Sequence, residues 1–117
     1  HEFQSQSNIE CTLFADDISA GISDDAATAL FRIVQESLTN IAKHADATHI
    51  TVSLKRETAA IVLCIVDDGK GLSRNWETKE GSFGLKGMRE RTLALGGELH
   101  VEPAEDGGVS LRLQVPI

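Results

Sequence analysis

Three short stretches of this chain combine residue types that can do chemistry. The first is Asp67-Asp68-Gly69-Lys70-Gly71, directly after the apolar run Ile61-Val62-Leu63-Cys64-Ile65-Val66. A carboxylate at the edge of a core can accept a hydrogen bond from an exocyclic amine such as that of adenine. Glycines beside it let backbone approach a flat ligand closely. The same residues also fit a tight turn, because Asp-Gly is a common turn pair. The second stretch puts Arg32, Glu36, Asn40 and Lys43 on one stripe of a helix. A solvated helix face has the same pattern. Asn is nevertheless a poor helix former at mid-helix. Its carboxamide oxygen is a hard ligand suited to Mg²⁺, and a carboxylate one turn earlier can orient a nucleophile or accept a proton. Lys43 and His44, at the helix end, are placed to reach phosphate oxygens. The third stretch, Gly84-Leu85-Lys86-Gly87-Met88-Arg89, opens another helix. Free N–H groups and a positive dipole end make such a start a phosphate site, and Lys86 and Arg89 add charge. A flexible helix start reads the same way. The segment before it carries Trp76 and Lys79 and could act as a lid; Trp76 also fits a plain surface aromatic.

These stretches need elements to position them. Ile9 to Ala15 alternates loosely and predicts a strand. Ser23-Asp24-Asp25 offers an N-cap and an acidic first turn for a helix reaching about Ala45. Its apolar residues Leu30, Ile33, Val34, Leu38, Ile41 and Ala45 form one core-facing stripe. Ile50 to Leu54 predicts a half-buried strand, and Ala59 to Val66 a central strand covered on both faces. Asp67 to Phe83 reads as a long functional loop. A second helix is expected from Leu85 to Leu95, stopped by Gly96-Gly97. Strands near Glu98 to Glu102 and Val109 to Val115 follow, joined by a turn at Asp106-Gly107-Gly108. Both glycine pairs fit cap and hairpin chemistry better than ligand contact. The order is strand, helix, strand, strand, helix, strand, strand. It predicts an α+β fold: one mixed sheet, helices on one face, the other face partly open.

Composition sets outer bounds. The 117 residues fit a single domain across 1–117, with residues 1–8 expected to be a ragged end. With 11 basic and 18 acidic residues the net charge is −7, which argues against nucleic acid, whose phosphates need a basic footprint. One nucleotide needs only local positive potential. Cys11 and Cys64 have no metal spacing, and Cys64, inside the apolar run, is expected to be a buried free thiol. No run reaches the roughly 20 apolar residues of a membrane span.

Taken in order, the stretches resemble the GHKL ATPase superfamily, named for gyrase, the heat-shock chaperone ATPase, histidine kinase and mismatch-repair ATPase. Leu30 to Ala45 looks like its N box, Val66 to Gly71 like the G1 box, and Phe83 to Arg91 like the G2 box. The N-box wording and the phrase Gly87-Met88-Arg89-Glu90-Arg91 are closest to the nitrate-sensor and degradation-sensor type of histidine kinase. The resemblance covers Ile9 to the C-terminus. It implies the Bergerat fold, a two-layer α/β sandwich with a mostly antiparallel sheet. It implies that Asn40 coordinates Mg²⁺ bridging the phosphates of ATP and that Glu36 acts as general base or orients water. Lys43 and His44 lie near the phosphates. Asp67 accepts from the adenine amino group, with Gly69 and Gly71 shaping the pocket. Gly84, Leu85, Gly87 and Met88 form the lid hinge and the helix start beneath the phosphates.

The reaction so implied moves the γ-phosphoryl group to a histidine on a separate dimerisation domain, then to an aspartate of a response regulator. None of His1, His44, His49 and His100 sits in an acceptor motif, so the chain is expected to bind ATP, as a monomer, without phosphorylating itself. A cytoplasmic site of action is expected, with room for a membrane anchor in the parent kinase. One departure stands out. The family usually has Gly-Thr after the last turn, whereas here Gly108 precedes Val109, and Ser110 should face the other way in a strand. The alternatives are an anti-sigma-factor-type serine kinase and a non-catalytic interaction module of the same fold.

Overall fold

The computed structural model describes residues 9–17, 21–44, 47–69, 85–105 and 107–117, and of residues 40–44, 85 and 86 the backbone alone. Among the described residues, five strands and two helices follow one another in the expected order: β1 (Glu10–Ala15), α1 (Asp24–His44), β2 (His49–Arg56), β3 (Ala60–Asp67), α2 (Leu85–Ala94), β4 (Glu98–Pro103) and β5 (Val109–Pro116). The sheet order is β1-β2-β3-β5-β4. β1 and β2 run parallel, which requires the crossover that α1 supplies. All other neighbours are antiparallel.

α1 starts where its sequence says it should. The Ser23 hydroxyl accepts from the Ala26 amide at 3.1 Å, an N-cap bond, and Asp24 and Asp25 meet the positive helix end. Leu30 and Ile33 are buried in the core, with Val34 and Leu38 packed against it. α2 ends at Gly96, whose φ of +77° is a left-handed cap. Gly97 has a different reason to be glycine. A β-carbon there would stand 2.3 Å from the Gln114 carbonyl oxygen, so only glycine lets the chain enter β4 alongside β5.

Strand parity sorts the sheet into two faces. Ile50 and Val52 of β2, Ile61, Leu63 and Ile65 of β3, and Leu111, Leu113 and Val115 of β5 share the helix-side core with Ile33 and Met88. Each such side chain contributes about 1.5–3 kcal/mol by leaving water. The opposite face carries Thr51, Ser53, Ser110, Arg112 and Gln114, which stay partly or fully exposed. β3 is central as expected, yet its cover is complete on one face only. Val62 is buried on the far side, while Cys64 and Val66 are partly open. The expected buried thiol is therefore half-buried: parity turns Cys64 away from the helices. Both cysteines are free.

Candidate functional site

β3 runs one residue further than the apolar pattern, so Asp67 closes the strand instead of opening the loop. Parity places it with Ile61, Leu63 and Ile65 on the helix side, where it is 3% exposed. Its Oδ1 accepts from the Gly69 amide at 2.8 Å, and the Val109 amide on β5 also donates to the carboxylate. Burial pushes the Asp67 carboxyl above its ordinary value, and the neighbouring Asp68 charge adds to this. The two amide donors pull the other way.

Asp68, one residue on, leaves the sheet. Its Oδ1 accepts from the Thr48 and His49 amides, both at 2.9 Å, and its Oδ2 from the Thr48 hydroxyl at 2.8 Å. The His49 and Thr48 donors hold this exposed carboxyl below its ordinary value. Asp68 thus clasps the chain leaving α1 to the end of β3.

Gly108 lies against Asp67 from the β5 side. A β-carbon on Gly108 would stand 1.9 Å from the Asp67 carbonyl oxygen and 2.7 Å from Oδ1. The sequence reading gave Gly107-Gly108 to the hairpin, and Gly107, with φ +92°, has that role. The second glycine makes the close approach that surrounds the buried carboxylate. The available signal was the doubling itself, since one left-handed glycine suffices for the turn.

The second cluster joins the two helices. Glu36 on α1 is half-buried and forms an ion pair with Arg91 on α2, so this part of the polar stripe has a partner on the second helix. Beside it, the Ser37 hydroxyl donates to the Ile33 carbonyl at 2.7 Å and lies 3.0 Å from the Met88 sulfur. Thr92 donates to the Met88 carbonyl at 2.7 Å. Ser37, Met88 and Thr92 are 4%, 1% and 0% exposed. The Met88 side chain therefore belongs to the core and bolts α2 to α1. Gly87 faces the Glu36–Arg91 pair. A β-carbon there would meet Arg91 Nη1 at 3.7 Å and Glu36 Oε1 at 3.9 Å, ordinary contacts, so crowding by the protein does not explain the glycine.

Val109 is buried on the helix side, and Ser110 pairs with Val66 and Glu102 on the other face, as the strand period required. Asp67, Gly69 and Gly108 thus gather at one end of β3 and β5. Asn40, Lys43 and His44 lie on the last turns of α1, and Leu85 opens α2; their side chains are outside the described residues, as are Lys70, Gly71, Trp76, Lys79 and Gly84 altogether. Arg91 and Gly108 are the site neighbours that the sequence reading missed.

Residues 25–117 match the family of histidine kinase-, DNA gyrase B- and HSP90-like ATPases. Among curated proteins, the chain is 43% identical over 89 residues to the signal transduction histidine-protein kinase/phosphatase DegS of Brevibacillus brevis, covering 76% of this chain and 23% of that protein. It is 38% identical over 100 residues to the sensor histidine kinase LiaS of Bacillus subtilis (strain 168), covering 86% of this chain and 26% of the relative. The chain thus spans about a quarter of the length of these relatives. The blue-light activated histidine kinase of Erythrobacter litoralis EL346 superposes with a TM-score of 0.80 at 22% identity, over 98% of this chain and 39% of that one. The ATP binding domain of PrrB from Mycobacterium tuberculosis gives 0.76 at 22% identity, over 99% and 86%. The sheet order, the helix layer and the match over residues 25–117 place the chain in the histidine kinase-, DNA gyrase B- and HSP90-like ATPase family.

Proposed function

We propose that this chain is the ATP-binding catalytic domain of a two-component sensor histidine kinase. The observation that carries the reading is Asp67, a carboxylate 3% exposed at the end of the central strand, walled by Gly108 and bonded by Gly69. A carboxylate has about four acceptor positions. Two amide donors occupy part of that capacity, and an adenine amino group fits the remainder. The adenine would then relieve the burial penalty that raises the Asp67 carboxyl. Gly69 and Gly71 would line the base. Leu85 and Gly87 would present the amides of the α2 start to the phosphates, with Gly84 at the lid hinge. Met88 would act through the placement of α2.

Glu36 would orient the nucleophile or take its proton. Asn40 lies one turn further along α1, with Lys43 and His44 beyond it toward the phosphates. Mg²⁺ commonly takes one or two protein oxygens and fills its shell with phosphate and water. Asn40 would give it a carboxamide oxygen. When bound, the ion neutralises charge on the phosphates.

The γ-phosphoryl group would pass to a histidine on a dimerisation domain and then to a response regulator. The net charge of −7 speaks against a nucleic-acid partner. No helix of the described residues is long and apolar enough to cross a membrane; the reading places the domain in the cytoplasm. Calorimetric titration with Mg-ADP tests the proposal. Binding in the micromolar range is expected, and no heat up to millimolar ligand would favour a non-catalytic module, to which the apolar Val109 would then belong.

A further inference from the structure

We propose that Arg91 is a positioning residue for the Glu36 carboxylate, holding one of its oxygens so that the other lies along the first turn of α2. The inference rests on the reading of Glu36 as the group that orients the nucleophile or accepts its proton. The guanidinium Nη1 donates to Oε2 across 55 residues of sequence. The other oxygen, Oε1, passes beside Gly87, 3.9 Å from where a β-carbon would stand. Among the described residues no other hydrogen bond or ion pair reaches Glu36.

An exposed ion pair is usually worth little, because two long side chains must be held in one geometry. Here the backbone has done much of the holding. Glu36 precedes Ser37, whose hydroxyl meets the Met88 sulfur across the two helices, and Arg91 precedes Thr92, which bonds the Met88 carbonyl within α2; Ser37, Met88 and Thr92 are all nearly or fully buried. The two partners therefore stand on helices already locked at adjacent positions. Gly87 lies beside the pair, where a β-carbon would make ordinary contacts, 3.7 Å from Arg91 Nη1 and 3.9 Å from Glu36 Oε1. An arginine fixes the plane of a carboxylate as well as its charge, which is what a group that must aim at a nucleophile requires. Oε2 is committed to Arg91, and Oε1 remains to act.

In the reaction the nucleophile forms a bond to the γ-phosphorus, the bond from that phosphorus to the bridging oxygen breaks, and ADP leaves. The proton lost by the nucleophile goes to Glu36 Oε1. Misplacing a reacting group by about an ångström can cost on the order of 100-fold, so loss of Arg91 should lower turnover without loosening the nucleotide.

The test uses the full-length kinase carrying this chain, with autophosphorylation rate measured against ATP concentration for Arg91→Ala, Arg91→Lys, Glu36→Gln and the double variant Glu36→Gln/Arg91→Ala. Arg91→Ala should lower the saturating rate by about 10–100-fold while the half-saturating ATP concentration stays within about threefold. Arg91→Lys should recover a large part of the rate. The double variant should be no slower than Glu36→Gln, because Arg91 acts through Glu36. If Glu36→Gln transfers phosphoryl normally, the role of Glu36 itself is wrong. If Glu36→Gln is slow but Arg91→Ala is not, or if the two losses multiply in the double variant, the positioning role of Arg91 is wrong. Thermal melts show whether each variant is folded. If Arg91→Ala is not, Arg91→Lys decides: a rate well below wild type with unchanged half-saturation supports the role, and a raised half-saturation overturns it.

Discussion

Asp67 and Asp68 are neighbours in sequence with opposite circumstances. One is buried among apolar side chains with its carboxyl raised; the other is exposed with its carboxyl lowered. The difference comes from a single step along a strand. Asp67 is the last residue to obey the two-residue period, so it faces the helices. Asp68 has left the ladder and turns back to the Thr48 and His49 amides. Identical chemistry thus yields a carboxylate burdened by desolvation, which a ligand donor would relieve, and one already satisfied by the fold. A buried acid with spare acceptor capacity suits a binding role, and an exposed acid with both oxygens engaged is a fastener.

Gly108→Ala should break the comparison most severely. Its methyl would collide with the Asp67 carbonyl and Oδ1, and because backbone cannot move aside cheaply, a loss of about 3 kcal/mol is expected in denaturant unfolding. Asp67→Asn should leave a folded protein whose nucleotide binding is weaker by about 1.5–3 kcal/mol, roughly 10- to 150-fold by calorimetry. Unchanged affinity would remove Asp67 from the adenine site.

A pH titration sharpens the contrast. The folded carboxyl of Asp67 lies above the ordinary 3.8, so on acidification it takes up its proton before an unfolded aspartate does. That uptake favours the folded state, and its contribution disappears as pH rises back through the folded value. Asp68 behaves in reverse: its stabilisation is present above the unfolded value and is lost as pH falls through its lowered folded value. On acidification, then, nucleotide affinity should fall first, as the charged acceptor at 67 disappears, and the Asp68 clasp should weaken only at lower pH. Asp67→Asn should abolish the first step. Smallest of all, Asp68→Asn should lower the melting midpoint by about 2–4 °C and leave affinity within twofold at neutral pH.

What was legible in the sequence was the part governed by local periodicity. The apolar run before Asp67, the Ser23 cap, the Gly96 stop and the outward turn of Ser110 each follow from neighbours a few residues away. What was hidden depends on pairs distant in the chain. Gly108 stands against Asp67 only because β5 pairs with β3, and Glu36 meets Arg91 only because two helices share a face of the sheet. The core contact of Met88 with Ser37 was hidden for the same reason, since it joins two helices 51 residues apart. The Arg91 partner of Glu36 stayed hidden because one helix seen alone has no neighbour to define its inner side.

The alternation that separates the two aspartates also decides which kinds of change the site can survive over generations. A substitution on β3 alters one side chain and leaves all the others where they were. Loss of a single codon within the strand would turn every following side chain to the opposite face, bringing Asp68 to the post of Asp67 and sending Asp67 to the far side. Descendants of this architecture are thus free to rewrite most of the letters in the strand while their count stays fixed.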